Sequence, residues 1–461
     1  MQRSLWLQEL ADELSPAPAL EGHCNVDIAI IGGGFVGLWT ALHIRQLAPE
    51  KTVAILEQDI CGAGASGRNG GFVMSWWPKI SSLTALCGAA EALKLARASA
   101  QAIEEIEIFC EQHAIDAHFV RSGWLWTATT EAQRGAWQSV QHTCATLGED
   151  VFRSLSNAEI ARRCGSPMHL EGVFEAGNAT VHPARLVRGL RRVALEQGVR
   201  IFENSRVRQM ERGQPTRLHT DHGQIRAQRV VLATNAWSAE LPQLRRSVLP
   251  VSSTIIATAP IPERLQAIGW TGGEAITDSQ QMVDYYRTTQ DGRIIFGKGT
   301  GLMSFASRVG TRYDQLPQLH AEVEEDFRRL YPQLADVAIE HRWSGPIDRT
   351  YDSLPMFGRL QDAPQIIYGV GWSGNGVGPS HLGGQILASL ALDLNNQWSR
   401  CGLVNRSVRR FPPEPLRYCG GLLVRNAVKR KERAQALGRA PSWLAHSLSK
   451  LAPAGLEDKK P

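Results

Sequence analysis

The residues of this chain best spaced for chemistry are glycines. Gly32, Gly34 and Gly37 fit the pattern G-x-G-x-x-G, and Glu57 follows the next apolar run, TVAIL. Such a run suits a dinucleotide: Gly32 permits a tight turn, Gly34 lets the backbone approach a pyrophosphate, and Gly37 lets helix and strand pack closely. Phe35 and Val36 open the helix whose unpaired N–H groups would meet the phosphates, while Glu57 accepts from ribose hydroxyls. The alternative is an α/β turn without a ligand. The motif alone does not separate FAD from NAD.

A second cluster follows at once. GAGASGRNGG, Gly62 to Gly71, holds five glycines in ten residues. Its backbone must be thin, able to take positive φ, and rich in accessible N–H donors. A nicotinamide cofactor does not explain it, because that cofactor is met by separate, later segments. FAD is longer and rigid at its flavin end, and a loop containing Ser66, Gly67, Arg68, Asn69, Gly70 and Gly71 would run beside its pyrophosphate and ribityl chain. A flexible surface loop is the competing reading.

The third cluster lies in YGVGWSGNGVGPSHLGGQILASLAL, Tyr368 to Leu392. Together the three motifs resemble, in order and character, the FAD-dependent amino-acid and amine oxidoreductases of the D-amino-acid oxidase type, nearest to the γ-glutamylputrescine oxidoreductase-like branch. The resemblance covers about residues 24–420. It implies an α/β protein, α+β overall, with a Rossmann-type FAD-binding domain and a second, largely antiparallel β-sheet substrate domain. The expected FAD-binding domain is discontinuous (24–80, 150–240 and 345–405), the substrate domain comprises 81–149 and 241–344, and 406–461 form a basic, partly helical tail. The resemblance places Val207 at the adenine and Ser373, Gly374, Asn375, Gly376, Val377 and Gly378 near the flavin N1 and O2. There, helix-end N–H groups stabilise the charge of the reduced ring. Ala233, Thr234 and Trp237, at the end of RVVLATNAW, lie against the dinucleotide in such proteins; a plain core strand explains them equally well.

The implied reaction moves a hydride from the carbon beside a neutral amine to flavin N5, and the imine then hydrolyses to an aldehyde. Oxygen or a quinone would take the electrons. In WSGPIDRTYDSLPMFG, Trp343 to Gly358, Ile347 occupies the position where amino-acid oxidases of this type commonly carry a carboxylate-binding arginine. Isoleucine cannot hold a carboxylate, so the substrate is expected to be a primary or secondary amine. A shifted alignment would return the arginine as Arg349. Oxidation of an amino acid or a 2-hydroxy acid, and a flavin-binding protein without turnover, are the alternatives. Lys298 is a candidate for promoting the reaction with oxygen, against a solvent-exposed hairpin lysine. Tyr285, Tyr286 and Arg287 are pocket candidates, with Tyr286 and Ile347 taken as substrate-binding, and His182 reads as structural.

The elements that must position these groups are legible around them. Val26–Ile31 reads as a buried strand, LWTALHIRQLA as a helix ended before Pro49, and TVAIL as a second strand. VSSTIIATAP, QMVDYYRTT and GRIIFGKGTG are strand-like pieces between Pro and Gly signals. With 461 residues the chain exceeds one ordinary core. A net charge of +5 is too small and dispersed for a nucleic-acid surface. The eight cysteines show no metal-ligand spacing, so no metal is expected and reduced thiols suggest the cytoplasm. No apolar run reaches the roughly 20 residues of a membrane span, and the N-terminus lacks the pattern of an export signal. The basic helix from about Leu422 to Leu437 has the character to touch an acidic membrane surface; packing on the cofactor domain is the expected arrangement.

Overall fold

The computed structural model describes residues 3–13, 15–314 and 316–455; positions 456–461 of the expected tail lie outside the described residues. Strand Gly22–Ile31 is the hub of the first sheet. Its second half is almost wholly buried and pairs in parallel with Val53–Leu56 on one side and Gly223–Leu232 on the other. A strand covered on both faces has no use for polar alternation, hence the apolar run. Arg200–Phe202 and Ala363–Val370 extend the parallel set outward, and Met356–Leu360 closes one edge antiparallel.

Helices Phe35–Leu47 and Pro379–Ala391 pack against each other over this sheet. Gly384 allows the contact: a Cβ there would stand 2.7 Å from the Trp39 Cβ. The long helix Ala89–Gln112 buries Leu95, Ile103 and Ile106 in the same core as Trp39 and Ile386. That helix falls within the segment assigned from sequence to the substrate domain, yet its apolar stripe faces the helices of the first sheet.

The second sheet runs in the order Ile339–Arg349, Leu249–Thr258, Ile294–Lys298, Asp284–Thr288, Ala275–Thr277, Trp124–Ala128, Glu171–Glu175, Arg153–Leu155. Every neighbouring pair is antiparallel except Ala275–Thr277 with Trp124–Ala128. Mixed α/β layers with one largely antiparallel sheet match the expected fold class. The boundaries differ. Residues 150–182 do not return to the first sheet, because Arg153–Leu155 and Glu171–Glu175 continue the ladder begun by Trp124–Ala128. The chain re-enters the first sheet only with helix Pro183–Glu196 and strand Arg200–Phe202. Strand Ile339–Arg349 likewise runs through the expected boundary at 345, paired with Leu249–Thr258 as far as Arg349.

The tail forms helices Leu416–Ala436 and Trp443–Ser449. They pack on the second-sheet side rather than on the cofactor domain: the Glu432 carboxylate accepts from the backbone N–H of Gln281 at 2.7 Å and of Met282 at 3.1 Å. Among the described residues no helix is long and apolar enough to cross a membrane.

Candidate active site

The first two glycine clusters are two sides of one contact. At the end of strand Gly22–Ile31 the chain turns at Gly32 with φ +113, where a Cβ would lie 2.4 Å from the Ala233 carbonyl oxygen. Only glycine fits that conformation and that space. The second cluster lies directly on the first. The Gly62 N–H donates to the Gly33 carbonyl at 3.1 Å, and the Phe35 N–H donates to Ser66 Oγ at 2.9 Å. A Cβ on Gly34 would meet that same hydroxyl at 2.8 Å. The closeness of the two backbones is what removes the side chains.

Two cavities meet across this contact. One is lined by Gly32, Gly34, Glu57, Val207, Ala233, Thr234 and Trp237. The other is lined by Arg68, Asn69, Gly70, Ile347 and the whole run Ser373 to Val377. Phe35, Val36, Ser66, Asn235 and Trp372 line both, so the two form one elongated cleft. Gly37, Gly67, Gly71 and Gly378 line neither. They serve packing: a Cβ on Gly37 would be 2.0 Å from the Gly32 oxygen, and on Gly378 2.6 Å from the Met74 oxygen.

An elongated dinucleotide cofactor fits this cleft. Glu57 sits at one end, its carboxylate accepting from the N–H of Gly33 at 2.8 Å and of Asp59 at 3.0 Å. Burial, against those two donors, pushes its carboxyl up to about 7, as expected for an acid that awaits further hydroxyl donors. At the other end Gly374, with φ +94, has open space where a side chain would stand; a Cβ would touch only Ile347 Cδ1 at 3.6 Å.

Buried polar groups hold the loops in place. The Arg287 guanidinium donates to the carbonyls of Gly70 at 2.7 Å and Val181 at 2.6 Å, bracing the second cluster. Arg68 is buried and braced in turn: its Nε donates to the Ala63 carbonyl at 2.7 Å, and Nη1 to that of Ser344 at 3.1 Å. The Asn69 carbonyl accepts from Trp6 Nε1 at 2.8 Å, so the N-terminal helix clamps the same loop. Asp348 anchors the third cluster, its carboxylate accepting from the N–H of Gly371 at 2.5 Å and Trp372 at 3.0 Å and from Asn235 Nδ2 at 3.1 Å. His182 caps helix Pro183–Glu196, accepting from the Arg185 N–H, and is structural.

Three side-chain candidates do not line the cleft: Arg287, which braces the loop from behind, Tyr286 and Lys298. Tyr286 is fully buried in a separate core, stacked on Phe296, its hydroxyl 2.6 Å from His169 Nε2. Strand alternation sends its neighbour Tyr285 to the cavity instead, with the phenol 2.6 Å from Ser253 Oγ. Lys298 is neither beside the cleft nor solvent-exposed. Its ammonium is buried between Asp284 at 2.8 Å and Asp326 at 3.0 Å, and these carboxylates hold it charged.

Asp348 and Asn235 were missed by sequence reasoning. Asp348 stands next to Ile347 in a strand, and the alternation of side chains was the available signal: the isoleucine lines the cavity while the acid meets the loop. Arg349, two residues beyond Ile347, also lines the cavity. Ile347 and Arg349 therefore sit together in one wall.

Comparison with known proteins agrees with this geometry. Residues 27–390 match the DAO family, FAD dependent oxidoreductase. A probable oxidoreductase OrdL of Haemophilus influenzae is 30% identical over 376 residues, 80% of this chain and 83% of the relative. The γ-glutamylputrescine oxidoreductase of Escherichia coli is 28% identical over 82% of this chain and 87% of its own length. Among solved structures, glycine oxidase from Geobacillus kaustophilus superposes with a TM-score of 0.66 at 22% identity, covering 81% of this chain and 96% of that one. The chain belongs to the DAO family of FAD-dependent oxidoreductases. Its cofactor is FAD, and its reaction class is the oxidation of amines or amino acids.

Proposed function

We propose that this enzyme oxidises a primary or secondary amine that bears no carboxylate on the carbon being oxidised. One observation carries the reading. Ile347 stands in the wall of the substrate cavity, against Gly374, at the position where the resemblance predicts a carboxylate-binding arginine. An aliphatic side chain there offers a carboxylate nothing and leaves its desolvation uncompensated. The E. coli relative whose name specifies γ-glutamylputrescine, an amine, supports the same class.

With FAD bound, the cofactor supplies the hydride acceptor for the C–H bond beside the nitrogen. The remaining work is positioning, and the chain's own residues do it. Phe72, Ile255, Val283 and Ile347 give the chamber an apolar lining that excludes water and fixes the carbon skeleton. Tyr285, tied to Ser253 Oγ, offers a hydroxyl for orienting the amine, and burial holds its phenol protonated. No carboxylate or imidazole is found among the described lining residues, and in this reading the amine enters neutral, having shed its proton to solvent. The imine leaves to water and becomes an aldehyde and an amine, or ammonia.

Arg349 favours a second reading, an α-amino acid whose carboxylate it would hold from the same wall. Anaerobic mixing of the yellow holoenzyme with panels of amines, α-amino acids and 2-hydroxy acids separates the cases. Bleaching by amines alone is expected. Bleaching by amino acids alone would transfer the clamp to Arg349, and bleaching by hydroxy acids alone would overturn amine oxidation.

A further inference from the structure

The C-terminal helices Leu416–Ala436 and Trp443–Ser449 carry a surface that amine oxidation does not use. Charge sets this segment apart. Residues 405–455 hold eleven Lys and Arg against two acids, Glu414 and Glu432, whereas residues 1–404 hold 37 basic and 41 acidic residues. The positive excess of the chain therefore resides here. Both acids are committed within the fold: Glu414 accepts from Arg417 at 2.7 Å, and Glu432 is buried on the backbone of Gln281 and Met282. From outside the segment, Glu322 takes up Lys429.

Apolar exposure concentrates in the same place. Among the described residues the six most exposed large apolar side chains are Leu416, Leu423, Leu437, Trp443, Leu444 and Leu451, from 56% for Leu444 to 79% for Trp443. On the longer helix the exposed positions from 416 to 433 are 416, 419, 423, 426, 430 and 433. Steps of three and four trace one stripe along a helix, and Leu437 continues it, so the stripe is about 30 Å long. Leu416 and Leu423 stand at one end, Arg430 and Arg433 follow, and Leu437 closes it. The other side of the helix, with Ala427, Val428 and Glu432, is buried. The exposed strip reaches its neighbours: Leu451 lines the same cavity as Leu416, and Phe305 meets the Tyr418 ring edge-on at 5.8 Å.

Large apolar side chains left this exposed mark a surface that is covered in use. A second copy of the chain is a poor cover, because it would press the same cationic surface against itself. The leucines also stand singly among arginines, without the dry centre that a protein interface gathers. A bilayer needs no such centre. Leu and Trp side chains reach below its headgroups while arginines extend to its phosphates, the arrangement of a helix lying in the plane of a membrane.

We propose that these two helices dock the enzyme on an anionic bilayer surface. Leu416, Leu423, Leu437 and Trp443 enter the headgroup region, and Arg430, Arg433 and Arg439 pair with lipid phosphates. The attachment is peripheral, since neither helix is long and apolar enough to cross a membrane. It is independent of the amine reading, because it uses the outer surface and not the chamber.

Flotation of the full-length FAD-loaded enzyme with vesicles tests the proposal, with phosphatidylcholine alone compared with a mixture containing about one-third phosphatidylglycerol. The anionic vesicles are expected to retain at least about tenfold more enzyme, and about 0.5 M salt to narrow the difference. Arg430→Gln combined with Arg433→Gln should weaken partitioning about tenfold or more. Leu423→Ser combined with Trp443→Ser should weaken it by a similar factor. All four side chains are exposed, so flavin absorbance, Tm and bleaching by soluble amines should stay as in the wild type. Equal retention on the two kinds of vesicle would overturn the proposal, as would retention that both pairs of substitutions leave intact. A dimer in sedimentation that Leu423→Ser with Trp443→Ser dissolves, in an enzyme that floats with neither vesicle, would overturn it in favour of a second copy as the cover.

Discussion

Replacing Ile347 by arginine tests the substrate reading where it is most exposed. Ile347 and Arg349 line the same wall two residues apart, so their Cα atoms are about 6–7 Å from each other. A new guanidinium at 347 would face the chamber next to Gly374, which has open space beside it. A bidentate pair with a substrate carboxylate contributes about 1.5–3 kcal/mol, a factor of about 10–100 in kcat/KM. The variant loses the packing of Ile347 against the apolar cluster of Leu249, Val251, Met303 and Phe411, so a lower Tm is expected as well. Norvaline and butylamine differ only by the α-carboxylate. Rates of anaerobic flavin reduction by both enantiomers and by the amine, measured by stopped flow, give the ratio directly. The wild type should favour butylamine, and Ile347→Arg should shift the ratio toward one norvaline enantiomer by at least tenfold. An unchanged ratio in a variant that keeps its flavin would refute the reasoning, as would a wild type that already prefers norvaline.

Three further outcomes are expected. Gly374→Ala puts a methyl group into the open cleft at a φ of +94, so it should cost about 1–2 kcal/mol of stability and lower the bound flavin seen in the visible spectrum; full occupancy would mean that the cofactor does not pass this residue. Asp348→Asn faces the N–H groups of Gly371 and Trp372 with one acceptor in place of two, and should weaken flavin binding with a stability loss of about 1–3 kcal/mol; equilibrium dialysis and thermal melts report both. Glu175 is buried, with Ser75 Oγ donating to it at 2.6 Å, and burial pushes its carboxyl from 4.5 up to about 7. A folded-state value above the unfolded one means the native protein holds this proton longer. Its contribution is complete below about pH 4.5 and is lost as the pH rises to about 7, roughly 3 kcal/mol in all. Glu175→Gln should therefore flatten the fall in Tm between pH 5 and pH 8, and an unaltered slope would remove this residue from the account.

How much of this was legible in the sequence depends on the range over which each feature is decided. The glycines at 32, 34 and 37 and the apolar run before them form one short strand–turn–helix unit, and a unit that short is written in residue type and spacing, even though the atoms that leave no room for a Cβ at Gly32 and Gly34 belong to the distant Ala233 and Ser66. The loop from Gly62 to Gly71 and the run Ser373 to Val377 are equally short glycine-rich segments, so the class of cofactor could be read before the fold was seen, although nothing in the sequence stated that Gly374 keeps open space beside it. Strand membership was not local. Arg153–Leu155 and Glu171–Glu175 are short pieces whose sheet is chosen by their partner, Trp124–Ala128, and no residue inside them states that choice.

The substrate end shows the division most clearly. Composition put Tyr285, Tyr286 and Lys298 close together in the sequence. Only tertiary structure decided that Tyr285 faces the chamber, that Tyr286 fills a core, and that Lys298 is spent on two aspartates. A strand turns alternate side chains to opposite faces, and which face is the functional one depends on what packs against it. By itself the sequence determined that three thin backbone segments would gather on one long cofactor. The pairing of the second sheet's strands decided which side chains line the chamber, because those contacts join residues far apart in the chain whose types carry no record of one another.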